Sequence, residues 1–308
     1  MISFRYRDRK SPIHRLNPFS KLGWILSIII LALVLDNPLF LLILFLSTLP
    51  LVKAARIGTE WRGFIRIALY LSGAIILINA LVSSHGTHVL YEIPWRIPLL
   101  GASVITLEAI IYGGAMSLRL LAIISAFALL TLTVNPDDLM LAMIKMKLPY
   151  KSVMVTSLST RFMPTLLEDA SRITDVQRSR GLELDKGKLT SRIRSRSSIV
   201  IALLSNSLER AIQVSEAMES RAFGTGRKRT FYRNISFSPT DVATLVFALL
   251  PAALGIIMAI NGYGQYQYYP ILSAISLARE EWWLLGLMGM LLVSLLPLAY
   301  LKRRIDLD

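Results

Sequence analysis

Two short tripeptides, Ser179-Arg180-Gly181 and Ser220-Arg221-Ala222, carry the clearest chemistry in this chain. An arginine presents a planar fork of donors that is always charged and suits carboxylates and carbonyls in a partner's groove. Each tripeptide ends a long amphipathic segment. In the first, Tyr150 to Gly181, apolar residues recur at Val155, Leu158, Phe162, Leu166, Ala170, Ile173 and Val176. In the second, about 192–223, they recur at Ile201, Leu204, Leu208, Ala211, Val214 and Met218. Steps of three and four mark one face of a helix. At ~1.5 Å per residue each helix reaches roughly 45 Å, with a kink expected at Pro164 of the first. Gly181 and Gly224 are suited to ending them. Arg180 follows Ile173 by seven positions and Arg221 follows Val214 by seven. Each arginine therefore ends an apolar stripe instead of standing on the solvated face. A cation near a helix C-terminus also suits the helix dipole, but that preference does not explain the same arrangement on two helices of like design.

The remaining reactive residues are sparse. There is no Cys, which removes thiolate chemistry, and only three His. His85 and His88 have a spacing that could hold a metal on a helical turn. Glu92 is the only carboxylate near them, so an ordinary exposed loop is expected there, and His14 reads as a residue at the membrane border. No G-x-x-x-x-G-K-[ST] phosphate loop is present, and the histidines sit in the wrong contexts for a Ser/His/Asp hydrolase. No catalytic residue, metal site or cofactor is expected. Arg119 stands apart because it falls near the middle of an apolar run, where a charge is costly and usually functional. Glu108 shares its helix face but lies ~16 Å away along the axis, so Asn79 or backbone carbonyls are the expected partners.

The elements that position these residues are set by composition. Of 308 residues, 54% are hydrophobic and the net charge is +14. The apolar residues fall in runs near the ~20 needed to span a bilayer: 21–35, 39–53, 64–84, 106–133, 240–261 and 282–301. The fold class expected is an all-α membrane protein with about six transmembrane helices and a domain of long amphipathic helices. The first two runs are short and separated only by Asp36-Asn37-Pro38, so they read as a tight membrane hairpin. Lys and Arg favour the cytoplasmic side. They crowd the start (Arg5, Arg7, Arg9, Lys10, Arg15, Lys21), the segment holding Lys53, Arg56, Arg62 and Arg66, and the tail at Lys302-Arg303-Arg304. The alternate segments hold little beyond Arg96 and Arg279. Both termini and the block 134–238 are therefore expected inside. That block carries 18 of the 34 Lys and Arg and 10 of the 20 Asp and Glu. Part of its positive charge suits anionic lipid, and no nucleic-acid partner is expected. The organisation expected is 1–133 (about four membrane helices), 134–238 (cytoplasmic helices) and 239–308 (about two membrane helices).

The stretch T-S-L-S-T-R-F-M-P-T-L-L-E-D-A-S-R-I-T-D-V-Q-R-S-R-G (156–181) resembles the T component of energy-coupling factor (ECF) transporters. So do E-R-A-I-Q-V-S-E-A-M-E-S-R-A-F-G (209–224) and the opening S-P-I-H-R-L-N-P-F-S-K-L (11–22). The resemblance covers most of 11–233, and the last two spans match only in being hydrophobic. Where the family often has Ala-Arg-Gly at both sites, this chain has Ser-Arg-Gly and Ser-Arg-Ala. The Ala222 departure bears on the backbone geometry there. The resemblance implies a multi-pass scaffold in a prokaryotic cell membrane that joins two cytoplasmic ABC-type ATPase subunits to a substrate-binding S component. Substrate choice, a vitamin or a transition-metal ion, belongs to the S component. The long helices become coupling helices, Ser179-Arg180-Gly181 and Ser220-Arg221-Ala222 the ATPase-binding motifs, and ATP hydrolysis the partners' task. Arg119, with Arg161 and Pro164 inside the first stretch, takes a structural role or contacts the S component.

Two other classes make different demands. A self-sufficient channel or secondary transporter needs polar groups along the midplane, where these spans offer little beyond Asn79 and Arg119. A membrane-embedded enzyme needs acid/base or metal-binding residues clustered at one interface, and no such cluster stands in the sequence.

Overall fold

The computed structural model describes residues 9, 11–83, 86–97, 101–146, 149–181, 189–224, 238–273 and 277–305. The chain divides into two compact units: 1–142 with 235–308, and 143–234.

The first unit holds α1 (Pro18–Val34), α2 (Pro38–Ala55), α3 (Gly58–Val82), β1 (Val89–Ile97), β2 (Gly101–Thr106), α4 (Leu107–Thr133), α8 (Pro239–Ile260), α9 (Arg279–Val293) and α10 (Leu295–Ile305). The second holds α6 (Tyr150–Ser179) and α7 (Leu189–Ser220), and α5 (Pro136–Lys145) crosses the boundary in sequence. Among the described residues five helical stretches are long and apolar enough to cross a membrane: Pro38–Ala55, Gly58–Val82, Leu107–Thr133, Pro239–Ile260 and Arg279–Lys302. At 17 residues, α1 is shorter. The protein is an all-α membrane protein to which the described residues add one β-hairpin.

Asn-Pro pairs start three of these helices by the same chemistry. Asn17 Oδ1 accepts from Phe19 N at 3.1 Å, Asn37 Oδ1 from Leu39 N at 3.0 Å, and Asn135 Oδ1 from Asp137 N at 3.0 Å. The proline at N1 lacks only a donor that would have had no helical acceptor. Helix α8 uses Ser238-Pro239 instead, where the Asp241 carboxylate accepts from Ser238 N at 3.2 Å.

The turn between α1 and α2 is short, as expected, but the two helices pack mostly on other elements. Helix α1 lies chiefly against α8, and α2 chiefly against α4 and then α9. Small residues explain the preference, since they let helix backbones approach closely in a membrane. A Cβ at Gly255 would stand 2.1 Å from Leu31 Cδ2, and one at Gly23 would stand 3.2 Å from Leu245 Cδ1. Ser27 Oγ also donates to Ala248 O at 2.5 Å, and Trp24 Nε1 to Leu292 O at 3.0 Å. The last span is broken at Ser294. Pro297 cannot donate to the carbonyl four residues back, which favours a new helix start there.

Residues 89–97 and 101–106, expected from sequence to be part of a plain outer segment, pair as antiparallel strands running from Val89↔Thr106 to Ile97↔Gly101. The signal was available: Val89, Tyr91, Ile93, Trp95 and Ile97 alternate with period two.

Candidate functional site

In the second unit, α6 and α7 pack against each other. On α6 the half-buried residues include Leu158, Phe162, Leu166, Asp169 and Ile173; on α7 they include Leu203, Ser207, Arg210, Val214 and Met218. The apolar stripe expected on α6 is therefore turned inward along much of its length, although Val155 and Val176 are exposed. On α7 the expected stripe splits. Val214 and Met218 are half-buried, whereas Ile201, Leu204 and Leu208 are exposed, as is Ile212. Helix α7 is apolar on two faces, and sequence periodicity alone does not separate the one that α6 covers from the one it leaves uncovered.

An ion pair crosses between the helices. Arg210 Nη2 donates to Asp169 Oδ2 at 2.9 Å, with both side chains partly shielded from solvent. Arg210 Nη1 is buried and has no hydrogen-bond partner among the described residues. Neither residue stood out in the sequence, because opposite charges 41 positions apart carry no local signature.

Arg180 and Arg221 stand at the C-terminal ends of α6 and α7, both exposed. Among the described residues neither guanidinium has a hydrogen-bond or ion-pair partner. Their backbones are fixed. Arg180 N donates to Val176 O at 3.1 Å and Gly181 N to Arg178 O at 3.0 Å. At the second tip Ala222 N donates to Glu219 O at 2.8 Å and Phe223 N to Met218 O at 3.0 Å. Gly181 has φ +85 and Ala222 has φ +54. The left-handed turn that ends the first helix is thus reproduced at the second by an alanine. Ser179 Oγ donates to Asp175 O and Ser220 Oγ to Ala217 O, both at 3.0 Å, so each serine hydroxyl folds back on its own helix. Helix α6 continues through Pro164, which is exposed, as is Arg161.

Arg119 lies in the other unit. Its Nη2 donates to Leu35 O at 3.1 Å and to Asp36 Oδ1 at 2.7 Å, in the turn between α1 and α2. The carbonyl matches the expectation and the carboxylate does not. Asn79 instead donates to Ile75 O in its own helix, at 2.9 Å. Asp36 is held in turn by Tyr268, whose hydroxyl donates to Asp36 O at 2.5 Å, and its N–H donates to Gly264 O at 3.1 Å.

His88 does not turn toward Glu92. Its Nδ1 lies 2.8 Å from Glu108 Oε1. That carboxylate is fully buried and also accepts from Thr87 N at 3.2 Å, Thr87 Oγ1 at 3.1 Å and His88 N at 3.1 Å. Glu108 thereby ties the base of the hairpin to the start of α4. His85 lies outside the described residues, and among the described residues no group of three or more His, Cys, Asp or Glu could hold a metal.

Helices of spanning length make this a multi-pass membrane protein, and the comparisons place it among transporter components. The family model described as cobalt transport protein, CbiQ, matches residues 9–232. The chain belongs to this family, that of ECF transporter T components. It is 32% identical over 270 residues to the energy-coupling factor transporter transmembrane protein EcfT of Streptococcus thermophilus, covering 84% of this chain and 97% of that protein. The EcfT of Staphylococcus aureus is 31% identical over 264 residues, 82% of this chain and 95% of its own. That of Heliobacterium modesticaldum is 33% identical over 254 residues, with 79% and 91% covered.

Proposed function

We propose that this chain is the energy-coupling scaffold of an ECF-type importer, sits in the cell membrane with both termini cytoplasmic, and joins two ABC-type ATPases to a substrate-binding S component. The observation that carries the docking assignment is the pair of exposed arginines, one at the C-terminal end of each of two helices packed on each other. A guanidinium with no partner among the described residues can enter a groove and bind carboxylates or carbonyls there. Arg180 engages one ATPase and Arg221 the other. ATP binding closes the ATPase pair, and α6 and α7 carry that movement to the S component, which delivers a vitamin or a transition-metal ion inward. The uncovered face of α7, with Ile201, Leu204 and Leu208, is available to the S component or to lipid. Arg119 is structural, through Asp36. The orientation rests on the concentration of Lys and Arg in alternate segments.

Truncating one partner of a buried charge pair at an interface costs about 2–5 kcal/mol, and reversing the charge costs more. The variant Arg180→Glu with Arg221→Glu is therefore expected to insert normally but to lose both ATPases on co-purification. A complex retained at wild-type yield with full transport would sink the assignment.

A further inference from the structure

The two coupling helices repeat each other at an offset of 41 residues, and the structure uses that repeat. Aligned at this offset, Leu167-Glu168-Asp169-Ala170 meets Leu208-Glu209-Arg210-Ala211, and Ser179-Arg180-Gly181 meets Ser220-Arg221-Ala222. Burial follows the same offset at most of the interhelix contact positions. Leu158 and Ile199 are counterparts and both are at least half-buried, as are Phe162 and Leu203, Leu166 and Ser207, Ile173 and Val214. The backbone follows it too, since Gly181 and Ala222 are counterparts and both are left-handed.

The interhelix ion pair joins residues separated by the same offset, Asp169 and Arg210. In a two-fold arrangement most positions contact a different position of the other copy; a position meets its own counterpart only at the axis. The pair therefore marks the axis of an approximate two-fold relating α6 to α7. From it, Arg180 lies 11 residues along α6 and Arg221 lies 11 residues along α7. Eleven residues are three turns, about 16 Å, and return to within roughly 20° of the starting face.

We propose that α6 and α7 form a two-fold fork pivoted on the Asp169–Arg210 ion pair, which sets the spacing at which Arg180 and Arg221 meet two equivalent sites. The symmetric fork stands on the repeat and the contact alone. That the two sites belong to a pair of ATPases rests on the function proposed above. Asp169 and Arg210 are positioning residues. The pair's remaining buried donor, Arg210 Nη1, has no hydrogen-bond partner among the described residues, so the arginine depends there on this one carboxylate.

The absence of Cys makes the test direct. Spin labels at Asp175→Cys and Glu216→Cys, exposed counterparts five residues before each arginine, report the spacing of the tips in the purified full-length chain. With the pair intact the distance distribution is expected to be single and narrow. Asp169→Ala or Arg210→Ala should at least double its width, and the exchange Asp169→Arg with Arg210→Asp should narrow it again. A distribution unchanged in both alanine variants overturns the proposal. So does an exchange variant as broad as the single ones, because the effect would then belong to packing and not to the pair. A separate arm tests the partners. Arg210→Ala should keep both ATPases on co-purification, whereas Arg180→Glu with Arg221→Glu should lose them. If the double glutamate variant keeps its ATPases while the distances behave as expected, the docking assignment fails and the fork stands.

Discussion

Replacing Ala222 by glycine should make the end of α7 more stable, and replacing Gly181 by alanine should weaken the end of α6. At φ +54 the Ala222 side chain meets the backbone strain that makes left-handed conformations rare for L-residues, about 1–2 kcal/mol. Glycine removes that strain but adds conformational freedom to the unfolded chain, about 0.4–1 kcal/mol. The net gain expected is about 0.5–1 kcal/mol. Gly181, at φ +85, has nothing within 4 Å of a built Cβ among the described residues. Its replacement by alanine is therefore opposed by the backbone alone, and the loss should be of the same size.

Amide exchange reads both changes locally. In the Ala222→Gly variant the reporter is Phe223 N–H, which donates to Met218 O at 3.0 Å. In Gly181→Ala it is the amide of residue 181, which donates to Arg178 O at 3.0 Å. A tenfold change in an opening constant corresponds to 1.4 kcal/mol, so protection should rise about 2–5-fold in the first variant and fall as much in the second. Because Arg221 is untouched, Ala222→Gly should also leave ATPase association at the wild-type level. Equal protection in both variants and the wild type would refute the left-handed assignment at these tips. A fall on introducing glycine at 222 would show that the alanine contributes a contact stronger than the strain it bears.

Arg119→Leu should lower the unfolding temperature in detergent by about 5 °C: it removes two hydrogen bonds to a charged donor, together about 2–3 kcal/mol after discounting the Asp36 end, which is nearly half exposed. Asp36→Asn, whose amide oxygen can still accept, should lower it by less than half as much, and equal shifts would contradict the contact. Glu108→Ala strands the donors of Thr87 and His88, so limited trypsin cleavage within 89–106, where Arg96 is the only basic residue, should speed up several-fold; an unchanged rate would deny Glu108 its role as the hairpin's anchor.

How far these features were legible in the sequence depended on the range of the contact. Helix ends are local chemistry, and Asn17-Pro18, Asn37-Pro38 and Gly181 declare them within two or three residues. Apolar runs of near-spanning length gave the class of protein for the same reason. The Val89–Ile97 alternation was equally local and was passed over because an outer segment between spans was read as loop. Asp36 as the partner of Arg119 was not legible. Glu108 on its own helix and Asn79 in another span are the polar groups the sequence offers Arg119, while the carboxylate arrives from a turn 83 positions away. The α7 stripe was misassigned in part for a different physical reason. Periodicity reports which faces are apolar, not which neighbour covers them, and with apolar residues on two faces only the α6 contact distinguishes Leu203 from Leu204.

The same two-faced character of α7 bears on how two inputs could yield one output. At the tips the 41-residue repeat holds closely, with Ser, Arg and a left-handed small residue on both helices. On the outer faces it fails. Met163 and Leu167 have apolar counterparts in Leu204 and Leu208, but Thr160 aligns with Ile201, Ser171 with Ile212 and Pro164 with Ser205. All of these positions are exposed, and the balance of apolarity among them favours α7. Pro164, moreover, removes a backbone donor from α6 alone and so softens one arm of the fork. On the proposed reading, two equivalent ATPases need matched tips, whereas a single S component needs one preferred side. A fork symmetric at the arginines and unequal in the apolarity of its outer faces meets both demands. Substituting Ile201 and Ile212 by serine, which makes α7 match Thr160 and Ser171, should then weaken S-component association while leaving both ATPases bound; loss of the ATPases instead would place the asymmetry in the wrong part of the fork.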